Sequence, residues 1–202
     1  MIEEILPGVL HWTAHHEGID STVHSSFVVG SGTLIDPMLP EEGIDEIEAF
    51  ARPRQIVLSN RHHYRQSAHF ARRFRCPVLC HEAGLHEFVP SQQVEGFAFG
   101  EQLAEDVQAL ELASICPEET TLLLELPDGG ALSFADGLTR GRDGSLAFMP
   151  DWLLGEDPET VRAGLREHLR PMLQLDFDAL LFAHAAPVRS AGKAMLSELL
   201  AE

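Results

Sequence analysis

The apolar run Ile56-Val57-Leu58 stops at Ser59-Asn60 and gives way to the polar stretch Arg61-His62-His63-Tyr64-Arg65-Gln66. Apolar residues then resume at helical spacing through Ser67–Phe74, with Phe70 and Phe74 four apart on one face. This is a strand, a histidine-bearing loop and an amphipathic helix in immediate succession. The loop therefore lies at the carboxyl end of a strand, where open α/β folds place their chemistry.

The rest of the chain alternates in the same way. Gly8–Trp12, Ser26–Val29 and Thr33–Ile35 read as strands of a first sheet. After Pro40, the spacing of Ile44, Ile47 and Phe50 in an acidic context predicts an amphipathic helix. Pro77–Cys80 is a short buried strand, and Val107–Leu112, Thr120–Leu126 and Ala131–Phe134 form a second set. The last two flank Pro127-Asp128-Gly129-Gly130, whose Asp-Gly pair suits a hairpin turn. Asp157-Pro158-Glu159 gives a helix cap, a proline at the first helical position and an early acid. Val161, Leu165 and Leu169 mark the buried stripe of that helix, which Pro171 ends or kinks. Leu180–Phe182 is a buried strand, and Met195, Leu196 and Leu199 belong to a closing helix.

At 202 residues and 45% hydrophobic content the chain can bury one substantial core, so residues 1–202 are read as a single domain. Nothing approaches the roughly 20 apolar residues that span a bilayer. Met1-Ile2-Glu3-Glu4 begins with acid where a signal peptide has basic residues, so a cytoplasmic protein without membrane partners is expected. Cys76, Cys80 and Cys116 are too few and too irregular for a disulfide framework and read as buried thiols. The formal charge of −18, from 32 acids against 14 bases, argues against nucleic acid as a partner, because that affinity rests on cationic neutralisation of phosphates. The bases do cluster, with Arg52, Arg54, Arg61, Arg65, Arg72, Arg73 and Arg75 in one short region. They fit either a local site for an anionic group or solvated, internally paired faces. No sequence feature supports an oligomerisation module.

The loop at 60–65 resembles the metal-binding loop of the metallo-β-lactamase superfamily, Thr-His-x-His-x-Asp-His after a strand. Asn60, His62, Tyr64 and Arg65 fall at its four ligand positions. Further landmarks come in the superfamily's order over nearly the whole chain. Val28–Pro37 resembles the hairpin ending in Leu-Ile-Asp, and Pro117-Glu118-Glu119-Thr120 stands where the superfamily has Pro-Gly-His-Thr. Gly129–Asp136 resembles the strand that carries the metal-bridging aspartate, and Leu180–Pro187 resembles the last strand and its His-Gly-x-Pro turn. The resemblance implies an α/β fold, an αββα four-layer sandwich of two mixed β-sheets between helices.

Carried over position by position, the resemblance keeps the ligand type at His62, Asp136 and His184 and replaces it at Asn60, Tyr64, Arg65 and Glu119. Glutamate is itself an oxygen ligand, so His62, Glu119, Asp136 and His184 are the expected metal set for one divalent zinc, iron or manganese ion. A second ion is not expected, since tyrosine and a permanently cationic arginine are poor ligands. The reaction implied is hydrolysis of a small ester, thioester or lactone, with Asp136 orienting water and Tyr64 or Arg65 stabilising an oxyanion. The alternative is a metal-free, catalytically silent relative in which Arg65 bridges Asp136 and Glu119. That form would bind a small anionic ligand through Arg61 and Arg65. His63, alternating away from His62 in an extended loop, is expected to lie outside the pocket. His184, after four apolar residues, has a rival reading as a core histidine, and Glu118 rivals Glu119 as the inward-facing acid.

Overall fold

A computed structural model describes residues 1–141 and 143–201. Two sheets pack face to face. The first has seven strands in chain order: β1 (Glu3–Leu6), β2 (Val9–His16), β3 (Ser21–Val28), β4 (Thr33–Ile35), β5 (Gln55–Val57), β6 (Val78–His81) and β7 (Val94–Phe97). Strands β1 to β4 form an antiparallel meander, and β4 to β7 run parallel. The second sheet uses β8 (Gln102–Ala104), β9 (Val107–Glu111), β10 (Thr120–Leu124), β11 (Ala131–Phe134) and, beyond the small hairpin of β12 (Leu138–Arg140) and β13 (Leu146–Phe148), β14 (Ala179–Phe182). Its order is β14-β11-β10-β9-β8, antiparallel except for the β11–β14 pair. Helices α1 (Asp45–Glu48) and α2 (Ser67–Phe74) cover the first sheet, and α3 (Pro158–Met172) and α4 (Gly192–Ala201) cover the second.

The pleat explains why this sequence makes four layers. Side chains on a strand alternate between faces, so a strand buried on both faces must be apolar throughout. In β14, Leu180 and Phe182 pack under α3 and α4, while Ala179 and Leu181 face the other sheet. In β5, Ile56 meets Phe70 and Phe74 of α2, whereas Val57 joins the layer between the sheets. That middle layer is built from Val9, Val28, Ile35, Val57, Val107, Leu122 and Leu181. The expected cap holds as well: Asp157 Oδ1 accepts the Thr160 N–H at 3.1 Å, with Pro158 opening α3. Pro171 sits in the last turn, and the helix ends one residue later at Met172.

One helix is shorter than its periodicity predicts. Only Ile47 of the Ile44, Ile47, Phe50 series is fully buried, α1 closes at Glu48, and Phe50 is 52% exposed in the following turn. Four residues cannot present a long apolar stripe. The cysteines are buried and free. Among the described residues, no helix is long and apolar enough to cross a membrane.

Candidate functional site

The carboxyl ends of β4, β5, β11 and β14 meet at one edge of the sandwich, together with the entry to β10. Main-chain bonds stitch this edge across the sheets: Thr120 N–H to Ser59 O at 2.8 Å, and His24 N–H to Ala183 O at 2.9 Å. Asp36, Ser59–Arg65, Glu118–Glu119, Asp136 and His184 converge there.

The loop after β5 is a 3₁₀ turn over Arg61–Tyr64, where an extended segment was expected. Asn60 caps it, its Oδ1 accepting the His62 N–H at 2.9 Å. Arg65 closes it with φ 43° and ψ −119°, a left-handed backbone that a non-glycine residue adopts only when its surroundings hold it there. Successive residues in a 3₁₀ turn are about 120° apart. His62 is therefore turned to solvent and His63 inward, leaving His63 only 4% exposed. This reverses the expectation for the two histidines.

His63 is held from behind. Asp36, itself at φ 47° and buried, accepts the Ser59 N–H on Oδ1 at 2.8 Å. Its Oδ2 accepts the Ser59 hydroxyl and lies 2.9 Å from His63 Nδ1. An ionised carboxylate only accepts, so Nδ1 carries the proton and Nε2 is the nitrogen presented to the site. Burial alone would lower the His63 pKa, but Asp36 and then Asp136 outweigh it and push it up to about 9. Asp36 is held below its ordinary value despite its burial, by the charge and hydrogen bond of His63 and the charge of Arg65.

His63 Nε2 lies 3.5 Å from Asp136 Oδ1 and 3.3 Å from His184 Nε2, and His184 Nε2 lies 3.1 Å from Asp136 Oδ1. These three atoms form a nearly equilateral triangle. Ligands about 2.0–2.2 Å from a tetrahedral zinc ion are separated by about 3.3–3.6 Å, so the triangle is close to the size of one face of such a tetrahedron. Two imidazoles and a carboxylate with one position left open suit a catalytic ion, and a carboxylate behind one imidazole is the usual outer support. The side chains of Asp136 and His184 are 25% and 18% exposed, which gives the open side access to solvent. Burial works against ionisation of Asp136, yet the charge of His63 and the hydrogen bond from His184 hold its pKa well below the ordinary range.

The other expected site residues are placed differently. Glu119 has no exposed surface, and its Oε1 accepts the main-chain N–H groups of Asp136 at 2.9 Å and Gly137 at 2.6 Å. It lies outside the three-residue group, and burial followed by the charge of Asp136 pushes its pKa up to about 8. Glu118 is also inward, toward a separate compartment, where it pairs with Arg61 Nη1. The Tyr64 hydroxyl points to Gln92 O at 3.4 Å and its ring packs against Phe88, away from the triangle. Arg65 donates to His24 O at 2.7 Å, Asp36 O at 2.8 Å and Ala183 O at 3.3 Å. Three elements that meet at the site are thus tied by one guanidinium, and the expected bridge between Asp136 and Glu119 is not what it makes. Its fork is spent on carbonyls because those carbonyls end or flank strands whose ladders stop there.

Five residues enter that sequence reasoning missed: Asp36, Ser59 and His63, and the pair His11 and His24, whose Nε2 and Nδ1 lie 2.8 Å apart. Burial, with His11, His184 and Arg65 nearby, pushes the His24 pKa down to about 4. The one available signal was Asp36, buried polar at the end of an apolar Leu34-Ile35 strand. A groove of about 780 Å³ opens at the opposite edge, near Gly30, Arg54 and Asp106, and holds none of these groups.

No family model matches this sequence, and no curated protein matches it. Solved structures do match, over nearly its whole length. It has the metallo-β-lactamase fold. A metallo-β-lactamase from Cronobacter sakazakii with a HARLDQ motif superposes with a TM-score of 0.66 at 16% identity, covering 99% of this chain and 93% of that one. A metallo-β-lactamase family protein from Thermus thermophilus gives 0.63 at 16% identity, covering 98% and 80%. A variant of the flavo di-iron protein from Thermotoga maritima gives 0.65 at 14% identity, covering 99% of this chain and 60% of its own. At such identities the likeness concerns the fold, and the chemistry lies in the side chains at the metallo-β-lactamase-like edge.

Proposed function

We propose that this chain is a hydrolase that works with a single divalent ion, zinc, iron or manganese, on a small ester, thioester or lactone. The triangle of His63 Nε2, Asp136 Oδ1 and His184 Nε2, with edges of 3.1–3.5 Å, carries this reading. It exchanges His62 for His63 in the donor set and moves Glu119 behind the donors. An ion bound there would supply an acidified water and polarisation of an acyl carbonyl. The chain's own residues do the rest. Asp36 keeps the proton on His63 Nδ1 and so keeps Nε2 aimed at the site. Asp136, anionic and partly exposed, would hold the ion through Oδ1 and orient its water. Arg65 and Ser59 hold the Asp36 segment in its left-handed conformation. The net charge of −18 favours small substrates over polyanions, so the expected partner is a small molecule, with neither nucleic acid nor membrane.

One observation favours a second reading. A proton on His63, whose pKa is pushed up to about 9, already neutralises the space between Asp36 and Asp136 without any ion. The chain would then be a catalytically silent relative that binds a small ligand. Arg61 and Arg65 are both engaged within the protein, which weakens their claim on an anion.

Elemental analysis of untagged protein separates the two, before and after a chelator and after dialysis against zinc, manganese and iron. The hydrolase reading expects about one equivalent of retained metal and turnover of at least one ester, thioester or lactone in the loaded form. No retained metal under any loading condition sinks it in favour of the protonated pocket.

A further inference from the structure

We infer that Asn60 and Glu119 are positioning residues for Asp136, which together leave Oδ1 as the one carboxylate oxygen offered to the site. The inference rests on the single-ion reading and specifies how that ion would be held. Asn60 Nδ2 donates to Asp136 Oδ2 at 2.7 Å, while Asn60 Oδ1 is fixed by the His62 N–H. Asn60 has no exposed surface, so it has no water to exchange this bond for. From the main-chain side, Glu119 Oε1 accepts the N–H groups of both Asp136 and Gly137.

The backbone between these two grips is packed tightly. A Cβ added at Gly137 would meet Leu112 at 2.8 Å, Leu165 at 2.9 Å and Glu119 Oε1 at 3.3 Å. Asp136 therefore enters the site with its main chain and one of its two oxygens already committed. Oδ1 remains, and it is the oxygen within 3.1 Å of His184 and 3.5 Å of His63. Glu119 Oε1 could turn to an ion only by releasing the buried Gly137 N–H without a substitute, and Oε2, which has no hydrogen-bond partner among the described residues, lies outside the group of His63, Asp136 and His184. The positions that resemble ligand positions, Asn60 and Glu119, thus act through Asp136.

The test uses the 202-residue chain and two readouts. The first is cobalt(II) titration followed by visible absorption. The second is hydrogen exchange of the Asp136 and Gly137 amides, read by NMR in the metal-free chain. Glu119→Gln keeps an acceptor oxygen and should leave the absorption bands unchanged, the cobalt affinity within about threefold and both amides slow. Glu119→Ala should speed exchange at both amides and weaken cobalt binding by about 10–100-fold with the bands in place. Asn60→Ala frees Oδ2 and should shift the bands.

A band shift in Glu119→Gln would make Glu119 a ligand and overturn the inference. Amide exchange indifferent to Glu119→Ala would overturn it equally. Wild-type protein that takes up no cobalt would sink the single-ion reading, while the exchange data still decide whether Glu119 holds the Asp136 main chain.

Discussion

Glu118 and Glu119 are neighbours in the chain, both without exposed surface, and they serve two compartments that treat charge in opposite ways. On the Glu118 side, burial opposes ionisation, but the Cys116 thiol and then Arg61, which pairs with Glu118 through Nη1, hold the Glu118 pKa below its ordinary value. The thiols lining that side are driven up by burial, Cys80 to about 12, so they are inert. On the Glu119 side, the hydrogen-bond partners among the described residues are two main-chain N–H groups, and burial followed by the charge of Asp136 raises the pKa to about 8. Adjacent carboxylates thus take opposite protonation: polar and charged partners decide it for Glu118, and desolvation beside another anion decides it for Glu119. The first compartment is settled internally. The second is left with acids that a proton or an ion must balance, which is the condition expected of a functional site.

The largest effect should come from opening the settled compartment. Arg61→Met leaves Glu118 buried and unpaired, and loss of one partner from such a pair costs about 3–5 kcal/mol. Because the folded pKa of Glu118 is lowered, the stabilisation from its pairing is present above about its ordinary value of 4.5 and is lost as pH falls through the folded value. The penalty of Arg61→Met should accordingly shrink in acid, where the orphaned Glu118 takes a proton. Urea unfolding at pH 7 and pH 4 measures both. A loss below about 1 kcal/mol at pH 7 would mean that Glu118 has other support, and the contrast would collapse.

Glu119 should behave in the opposite sense. Its folded pKa of about 8 lies above the ordinary 4.5, so between these values the folded state holds the extra proton. The contribution of Glu119 to stability therefore falls as pH rises from about 4.5 to 8. Glu119→Gln removes that slope. At pH 8 the metal-free variant should be more stable than the wild type by on the order of 1 kcal/mol, the gain being limited by burial of the new amide N–H₂ group. His63, with its raised pKa, also loses stabilisation toward alkaline pH in both proteins, so only its charge coupling to Glu119, the smallest of the named causes, enters the difference. A wild-type and a Glu119→Gln curve that run parallel from pH 5 to 8 would show that Glu119 stays ionised throughout.

The layers of the fold were legible because strand alternation and helical spacing are local. Leu180–Phe182 reads as a buried strand and Asp157-Pro158-Glu159 as the opening of a helix, and both stand so in the structure. The site edge was legible too, since Ile56–Leu58 had to deliver a polar loop to it. The identity of the inward histidine was not. Alternation between His62 and His63 presumes extended backbone, whereas Asn60 capping and the left-handed Arg65 wind the segment into a 3₁₀ turn. Nor could the sequence reveal that Asp36, far away in the chain, would fix His63, or that Glu118 and Glu119 would face separate compartments. Such pairings depend on two sheets meeting at one edge, and only the tertiary structure specifies that.

The smallest expected effect tests this last point most directly. His62 contributes its main-chain N–H to Asn60 and places its ring in solvent, and alanine keeps that N–H. His62→Ala should therefore change stability by no more than about 0.5 kcal/mol, the range of an ordinary surface substitution. It should also leave metal stoichiometry at the wild-type value. His63→Ala removes a corner of the triangle and the partner of Asp36 together, so the same assay should show loss of bound metal. If His62→Ala released the metal and His63→Ala did not, the loop would have to unwind when loaded and present the other histidine. The left-handed Arg65 would then be a hinge between two registers of one loop, and the contrast between a settled and an open compartment would apply to the metal-free chain alone.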